Sequence, residues 1–148
     1  MRIVVTSDAH RDLHILKKIA MIEVADIYVH AGDCELEPSQ ILPFINVKGN
    51  CDYFDYPMYR ILYAHNEQIM VMHGHTAFFG SMSEFAKAKG CNVLIYGHTH
   101  KYLEKFYDGI LLLNPGSVSR PRDGTIPTYM ILDIDDTGIK VTKKEVRF

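Results

Sequence analysis

Residues 2–10 read Arg-Ile-Val-Val-Thr-Ser-Asp-Ala-His, a β-branched run that stops at an aspartate and a histidine. A run this short and this apolar predicts a strand buried on both faces. Asp12 stands where a helix cap belongs, and Ile15, Ile19 and Ile22 recur at helical spacing, so a helix is predicted over Leu13 to Glu23. A second strand, Ile27 to His30, ends in Ala31-Gly32-Asp33. A third, Phe44 to Lys48, follows a short helix and ends in Gly49-Asn50-Cys51-Asp52. Strand, helix, strand, short helix, strand implies parallel pairing through crossovers.

Working outward, Tyr59 to Ala64 and Gln68 to Met72 read as paired strands across His65-Asn66-Glu67, the second ending at His73-Gly74-His75. Ser81-Met82-Ser83-Glu84 has the form of a capping box, opening a helix that stops at Gly90. Val93 to Tyr96 is a further buried strand, ending at Gly97-His98-Thr99-His100. Asp108-Gly109 between Tyr102–Tyr107 and Ile110–Leu113 predicts a hairpin, and Thr128–Asp133 pairs with Ile139–Arg147 around Asp136-Thr137-Gly138. The prediction is an α/β chain of two sheets packed as a sandwich and flanked by helices, one domain over residues 1–148.

Five predicted strands thus end in a polar cluster. The carboxyl ends of parallel strands are where open α/β sheets bind ligands. Taken singly, each cluster is ordinary turn chemistry: Asp8 or Asp33 as a cap, Asn50 after a glycine, His73 or His98 as a structural histidine. Taken together they are not, because turns favour Gly, Pro, Ser and Asn over His. Here four histidines stand at strand ends in two tight pairs, beside two aspartates. Mixed imidazole and carboxylate donors suit Mn, Fe, Ni, Co or Zn better than Ca or Mg. Two such ions held together can activate a hydroxide and bind phosphate oxygens.

Other features narrow the class. With a net charge of -2 there is no nucleic-acid footprint and no pull towards anionic lipid. No stretch reads as a signal peptide or a membrane span. Cys34, Cys51 and Cys91 form no CxxC pair, so neither a disulfide framework nor a closed zinc knuckle is expected, and a cytoplasmic location is.

The ordered set D-x-H, G-D, G-N-x-D, H-G-H and G-H-x-H, running from Asp8 to His100, resembles the calcineurin-like metallophosphoesterases. Asn114-Pro115-Gly116-Ser117 is similar to the compact prokaryotic phosphodiesterase branch of that family. The resemblance implies a four-layer α/β/β/α sandwich of two mixed sheets. It implies two divalent transition metals, manganese foremost, with nickel, iron, cobalt or zinc as alternatives. Asp8, His10 and His100 would bind the first, Asp33 would bridge, and Asn50, His73 and His98 would bind the second. A metal-bridging hydroxide would then attack a small phosphodiester in line.

Most relatives place His where this chain has Cys51, the position of the leaving-group acid. A thiol, with an ordinary pKa of about 8.5, suits neutral pH less well than imidazole. Cys51 therefore has two readings, catalytic acid or spectator, and esters with good leaving groups should react best. The same fold also occurs as a scaffold subunit of an endosomal coat that has lost the Asn, which Asn50 here retains. Phosphomonoesterase and metal-stabilised scaffold are the competing functions.

His75 is a candidate phosphate contact alongside Asn50, or a hydrogen-bonding support for the ligands. Asp52 is expected to support the turn, and His14, His30 and His65 to be surface or structural. Tyr53, Phe54, Tyr56, Phe78 and Phe79 flank the clusters and fit a pocket wall, a homo-oligomer contact or the core. Arg120 and Arg122 read first as a solvated loop, second as a phosphate grip.

Overall fold

The structure, a computed structural model, describes residues 1–76 and 79–148, with the side chain of Phe79 outside that description. Among the described residues, ten strands form two five-stranded mixed sheets. In the first, β1 (Arg2–Thr6), β2 (Ile27–His30) and β3 (Phe44–Asn46) are parallel, and β9 (Thr128–Asp135) and β10 (Gly138–Glu145) extend it antiparallel in the order β10-β9-β1-β2-β3. The second runs β4-β5-β6-β8-β7. Its strands are β4 (Tyr59–Ala64), β5 (Glu67–Met72), β6 (Val93–Ile95), β7 (Tyr102–Tyr107) and β8 (Ile110–Pro115).

The continuous apolar strands are explained by what lies on each face. In β1, Ile3 and Val5 point between the sheets, while Val4 points outward beneath a helix. In β5, Ile69 and Val71 face the other sheet, and Met70 faces the second helix. Side chains alternate with period two, so a strand covered on both sides must be apolar at every position. Helix α1 (Leu13–Ile22) covers the first sheet through Leu16 and Ile19, and α2 (Phe79–Ala88) covers the second through Met82 and Ala86. The layers are therefore α/β/β/α.

Several details differ from the sequence reading. Ile22 is 51% exposed, because Leu16 and Ile19 already define the buried stripe of α1. No helix forms between β2 and β3: Pro38 and Pro43 bracket too few residues, and the segment closes only isolated turns, from the Gln40 N–H to the Glu37 carbonyl and from the Phe44 N–H to the Ile41 carbonyl. Helix α2 starts before Ser81, which puts the predicted capping box inside the helix and buries Ser83. The Asp108-Gly109 hairpin forms with both residues at positive φ, 51° and 78°, as a two-residue turn of this hand requires. The two C-terminal hairpins join different sheets.

Candidate metal centre

The carboxyl ends of β1, β2, β3, β5 and β6 converge on one edge of the sandwich. Cross-connections fix them there. The Asp8 N–H donates to the Gly32 carbonyl, the Gly97 N–H to the His73 carbonyl, and the His98 N–H to Asp8 Oδ2 at 3.1 Å.

Among the described residues, three overlapping groups of donors result. Asp8, His10 and His100 form the first, Asp33, His73 and His98 the second, and His10, Asp33 and Cys51 a third that links them, with the donor atoms of each group within 4.8 Å of one another. His100 Nε2 lies 3.4 Å from Asp8 Oδ1 and 3.1 Å from His10 Nε2. Asp33 Oδ2 lies 3.2 Å from His73 Nε2 and 4.0 Å from His10 Nε2, so it stands between the groups. Asn50 Oδ1 is 3.1 Å from both His73 Nε2 and His98 Nδ1. All seven predicted ligands are thereby brought to one place.

Hydrogen bonds behind the rings set their tautomers. The Nδ1–H of His73 donates to the Ala31 carbonyl at 2.7 Å, that of His100 to the Arg120 carbonyl at 2.6 Å, and that of His10 to Glu35 at 2.8 Å. In the neutral form each Nε2 then presents a lone pair to the centre. The facing Nε2 atoms of His10 and His100 would repel, and Asp8 Oδ1 is buried with no hydrogen-bond partner. A buried carboxylate oxygen without a partner is costly. Converging lone pairs and an orphaned anionic oxygen are the donor set a divalent transition metal satisfies.

The charges tell the same story. Burial would raise the Asp33 carboxyl, but the hydrogen bond and charge of His73 outweigh it and hold the group well below the usual range. Asp8 is likewise lowered despite its burial, through His100, His73 and the Ser7 hydroxyl. His73 is raised, because Asp33 and Asp8 outweigh its burial, and His100 is raised chiefly by Asp8.

The backbone of the site is strained. Asp8, His10, Arg11, Asp33, Glu35, His98 and His100 all have positive φ, between 45° and 71°. A non-glycine residue in this region costs about 1 kcal/mol or more, and such residues cluster where function overrides local preference. The motif glycines have a steric role. A Cβ at Gly32 would collide with the His73 ring, at Gly49 with Asp33 Oδ1, and at Gly97 with Ser7 Oγ and Asp8 Oδ2.

Cys51 is exposed at the rim. Its N–H donates to Asp33 Oδ1 at 2.8 Å, and its thiol is raised first by what burial it has and then by Asp33 and Glu35. In the metal-free fold the thiol therefore favours its protonated form. His75 sits beside the second group, its ring 5.4 Å from His73 and 6.4 Å from His98, with a buried Nδ1 that has no hydrogen-bond partner. Burial and the neighbouring His73 lower its pKa, so it is a neutral imidazole.

Asp52 supports the site as expected. It accepts from the backbone N–H groups of Gly49, Asp33 and Glu35 at 2.8–2.9 Å. Tyr56 is core and no pocket wall: it is buried and its hydroxyl donates to the Leu36 carbonyl. Phe78 lies outside the described residues, and Tyr53 is 89% exposed. Arg120 and Arg122 are exposed, but their loop orients His100: the Arg120 carbonyl takes its Nδ1–H, and the Arg122 N–H donates to its carbonyl. Glu35 was not anticipated; it follows Asp33 by two residues, outside every motif, and only the fold places it on His10. Ser117 and Ser119 were also missed as supports, each hydroxyl donating to the Asp8 carbonyl.

Comparison with known proteins places this arrangement. The profile of the calcineurin-like phosphoesterase superfamily domain matches residues 1–137. A crystal structure from Streptococcus pneumoniae, described as a predicted phosphoesterase, is 31% identical and superposes with a TM-score of 0.87 over 96% of this chain and 87% of its own. Phosphodiesterase YfcE of Escherichia coli is 33% identical over 62% of this chain and 53% of its own length. Vps29 from Entamoeba histolytica, solved with zinc, shares the fold at 23% identity, with a TM-score of 0.77 over 97% of this chain and 98% of its own.

Proposed function

The chain belongs to the calcineurin-like phosphoesterase superfamily, and from that premise we propose that it is a metal-dependent phosphodiesterase acting on small diesters. The observation that carries this is the two adjacent donor groups, Asp8–His10–His100 and Asp33–His73–His98, with Asp33 Oδ2 also 4.0 Å from His10 Nε2 and every His that has a fixed tautomer turning Nε2 inward. Asp8, His10 and His100 would hold one metal, Asn50, His73 and His98 the other, and Asp33 would touch both. Manganese is the first choice. Bound there, the metals supply Lewis acidity towards phosphoryl oxygens and a nucleophile from water at neutral pH.

The chain's own groups do the rest. Glu35, the Ala31 carbonyl and the Arg120 carbonyl hold three imidazoles in fixed orientation, so little reorganisation is needed when charge develops. His75, neutral and with an unsatisfied nitrogen, can contact a phosphoryl oxygen beside the second group. Cys51 carries a proton at the rim and can pass it to a departing oxygen.

The test is hydrolysis of bis-p-nitrophenyl phosphate by purified protein with Mn²⁺. Turnover should appear, and EDTA should abolish it. A folded, metal-loaded protein that cleaves neither diesters nor monoesters with Mn, Co, Ni, Fe or Zn overturns the reading and leaves the metal-stabilised scaffold. Cleavage of monoesters alone would make it a phosphomonoesterase.

A further inference from the structure

A cavity of about 350 Å³ opens beside the second donor group. His73 and His75 form the wall it shares with the donors; Met58, Tyr59, Met72, Met82 and Phe85 line most of the rest, completed by Gly74, Thr76 and Ser81. We propose that this cavity seats an apolar, ring-sized group carried on an ester oxygen of the substrate. The substrate class is then a phosphodiester bearing such a ring, in contrast to one flanked by sugar phosphates. The inference rests on the phosphoesterase reading and adds the substrate's shape to it.

Three observations carry it. The first is continuity: the Nε2 of His73 is a candidate ligand 3.1 Å from Asn50 Oδ1, while its ring also lines the cavity. A phosphate at the donors is therefore one side chain away from the cavity. The second is lining chemistry. Three thioethers and two aromatic rings face the space, and no Lys, Arg, Asp or Glu lines it among the described residues. Thioethers are polarisable and pack well against ring edges and faces. A second phosphate would lose its water there with only the hydroxyl residues Thr76 and Ser81, and no cationic Lys or Arg among the described residues, to replace it. The third is size and rigidity. The volume lies at the low end of small-molecule sites, which start at about 300 Å³. Tyr59 and Phe85 meet edge to face, with centroids 5.2 Å apart, and Met82 is buried in the cluster under α2. The walls are preformed, yet Met58 remains 51% exposed, apolar surface that a ligand would cover.

The experiment compares phenylphosphonate with methylphosphonate by isothermal titration to Mn²⁺-loaded protein. Both present the same anion to the donors, and only one carries a ring. Burying the ring at about 25 cal/mol per Å² over roughly 60 Å² predicts about tenfold tighter binding of the phenyl compound. Met58→Asp, which places a charge in the cavity wall at a half-exposed position, should bring the ratio close to one. Phe85→Leu should lower it less. Equal affinities for the two phosphonates in the unaltered protein, or an unchanged ratio in both variants, would overturn the assignment. The binding ratio is read without turnover. If the ring preference holds but no diester is cleaved, the cavity assignment stands and the phosphodiesterase reading falls. If diesters are cleaved without a ring preference, the reverse follows.

Discussion

Asp52→Asn changes one buried group by a single atom type and tests how the donors are held in place. In the native side chain, Oδ2 accepts from Gly49 N–H at 2.8 Å, Asp33 N–H at 2.9 Å and Asn46 Nδ2 at 3.3 Å, while Oδ1 accepts from Glu35 N–H at 2.8 Å. The asparagine can keep its oxygen at one position only. With the amide nitrogen at the other, a buried N–H faces a second donor, at a cost of about 1–3 kcal/mol. The remaining bonds lose a charged acceptor, roughly 0.5–1 kcal/mol each. The expected loss is on the order of 3 kcal/mol in urea unfolding of metal-free protein. Because Asp33 and Glu35 are two of the residues released, Mn²⁺ affinity should fall by about tenfold or more, as for other supports of metal ligands. Asp55→Asn, exposed on the same loop, should change stability by less than about 0.5 kcal/mol. If Asp52→Asn matched that control in both stability and metal affinity, the loop would be fixed by something else and the argument would fail.

Further outcomes follow from the same geometry. His73→Ala removes a donor without opening the main core, and should abolish metal-dependent turnover in a protein that still unfolds cooperatively; residual turnover above about a tenth of wild type would remove His73 from the centre. His73 and His100 are raised from 6.5 in the metal-free fold, so the stability they lend is complete below the unfolded value and is lost as pH rises through the higher folded value. NMR titration of EDTA-treated protein should therefore find the His73 and His100 rings holding their protons above pH 6.5, with Mn²⁺ displacing those protons; rings that titrate at or below 6.5 contradict this. Cys51→Ala should slow hydrolysis of alkyl diesters more than of nitrophenyl diesters, since only the former need a proton on the leaving group; equal rates with wild type on both would make the thiol a spectator.

The first strand and its ending already contained much of the fold. An apolar run with no alternation says that both faces are covered, and Ile3, Val4 and Val5 do divide between the core and the helix layer. The donor residues were legible because imidazole is out of place in turns. What could not be read was whatever depends on contacts across the chain. Glu35 gains its place on His10 from a loop geometry that no periodicity encodes. The split of the C-terminal hairpins between sheets is set by pairing partners far away, Arg2 with Asp133 and Val93 with Leu111. The missing helix between β2 and β3 shows local chemistry overruling an expected alternation, with two prolines leaving room only for isolated turns.

The glycines at 32, 49 and 97 have a consequence for how this sequence can change. Each makes room for a donor belonging to a different cluster: Gly32 for His73, Gly49 for Asp33, Gly97 for Asp8. The five clusters are therefore not interchangeable cassettes. A chimera joining residues 1–55 of this chain to the remainder of a relative inherits a working centre only if both parents leave the same hollows. Insertions between the clusters are tolerated to the extent that they spare these contacts, whatever their length. Divergence in such a chain is easiest in the exposed loops between clusters and locked in pairs across the interior.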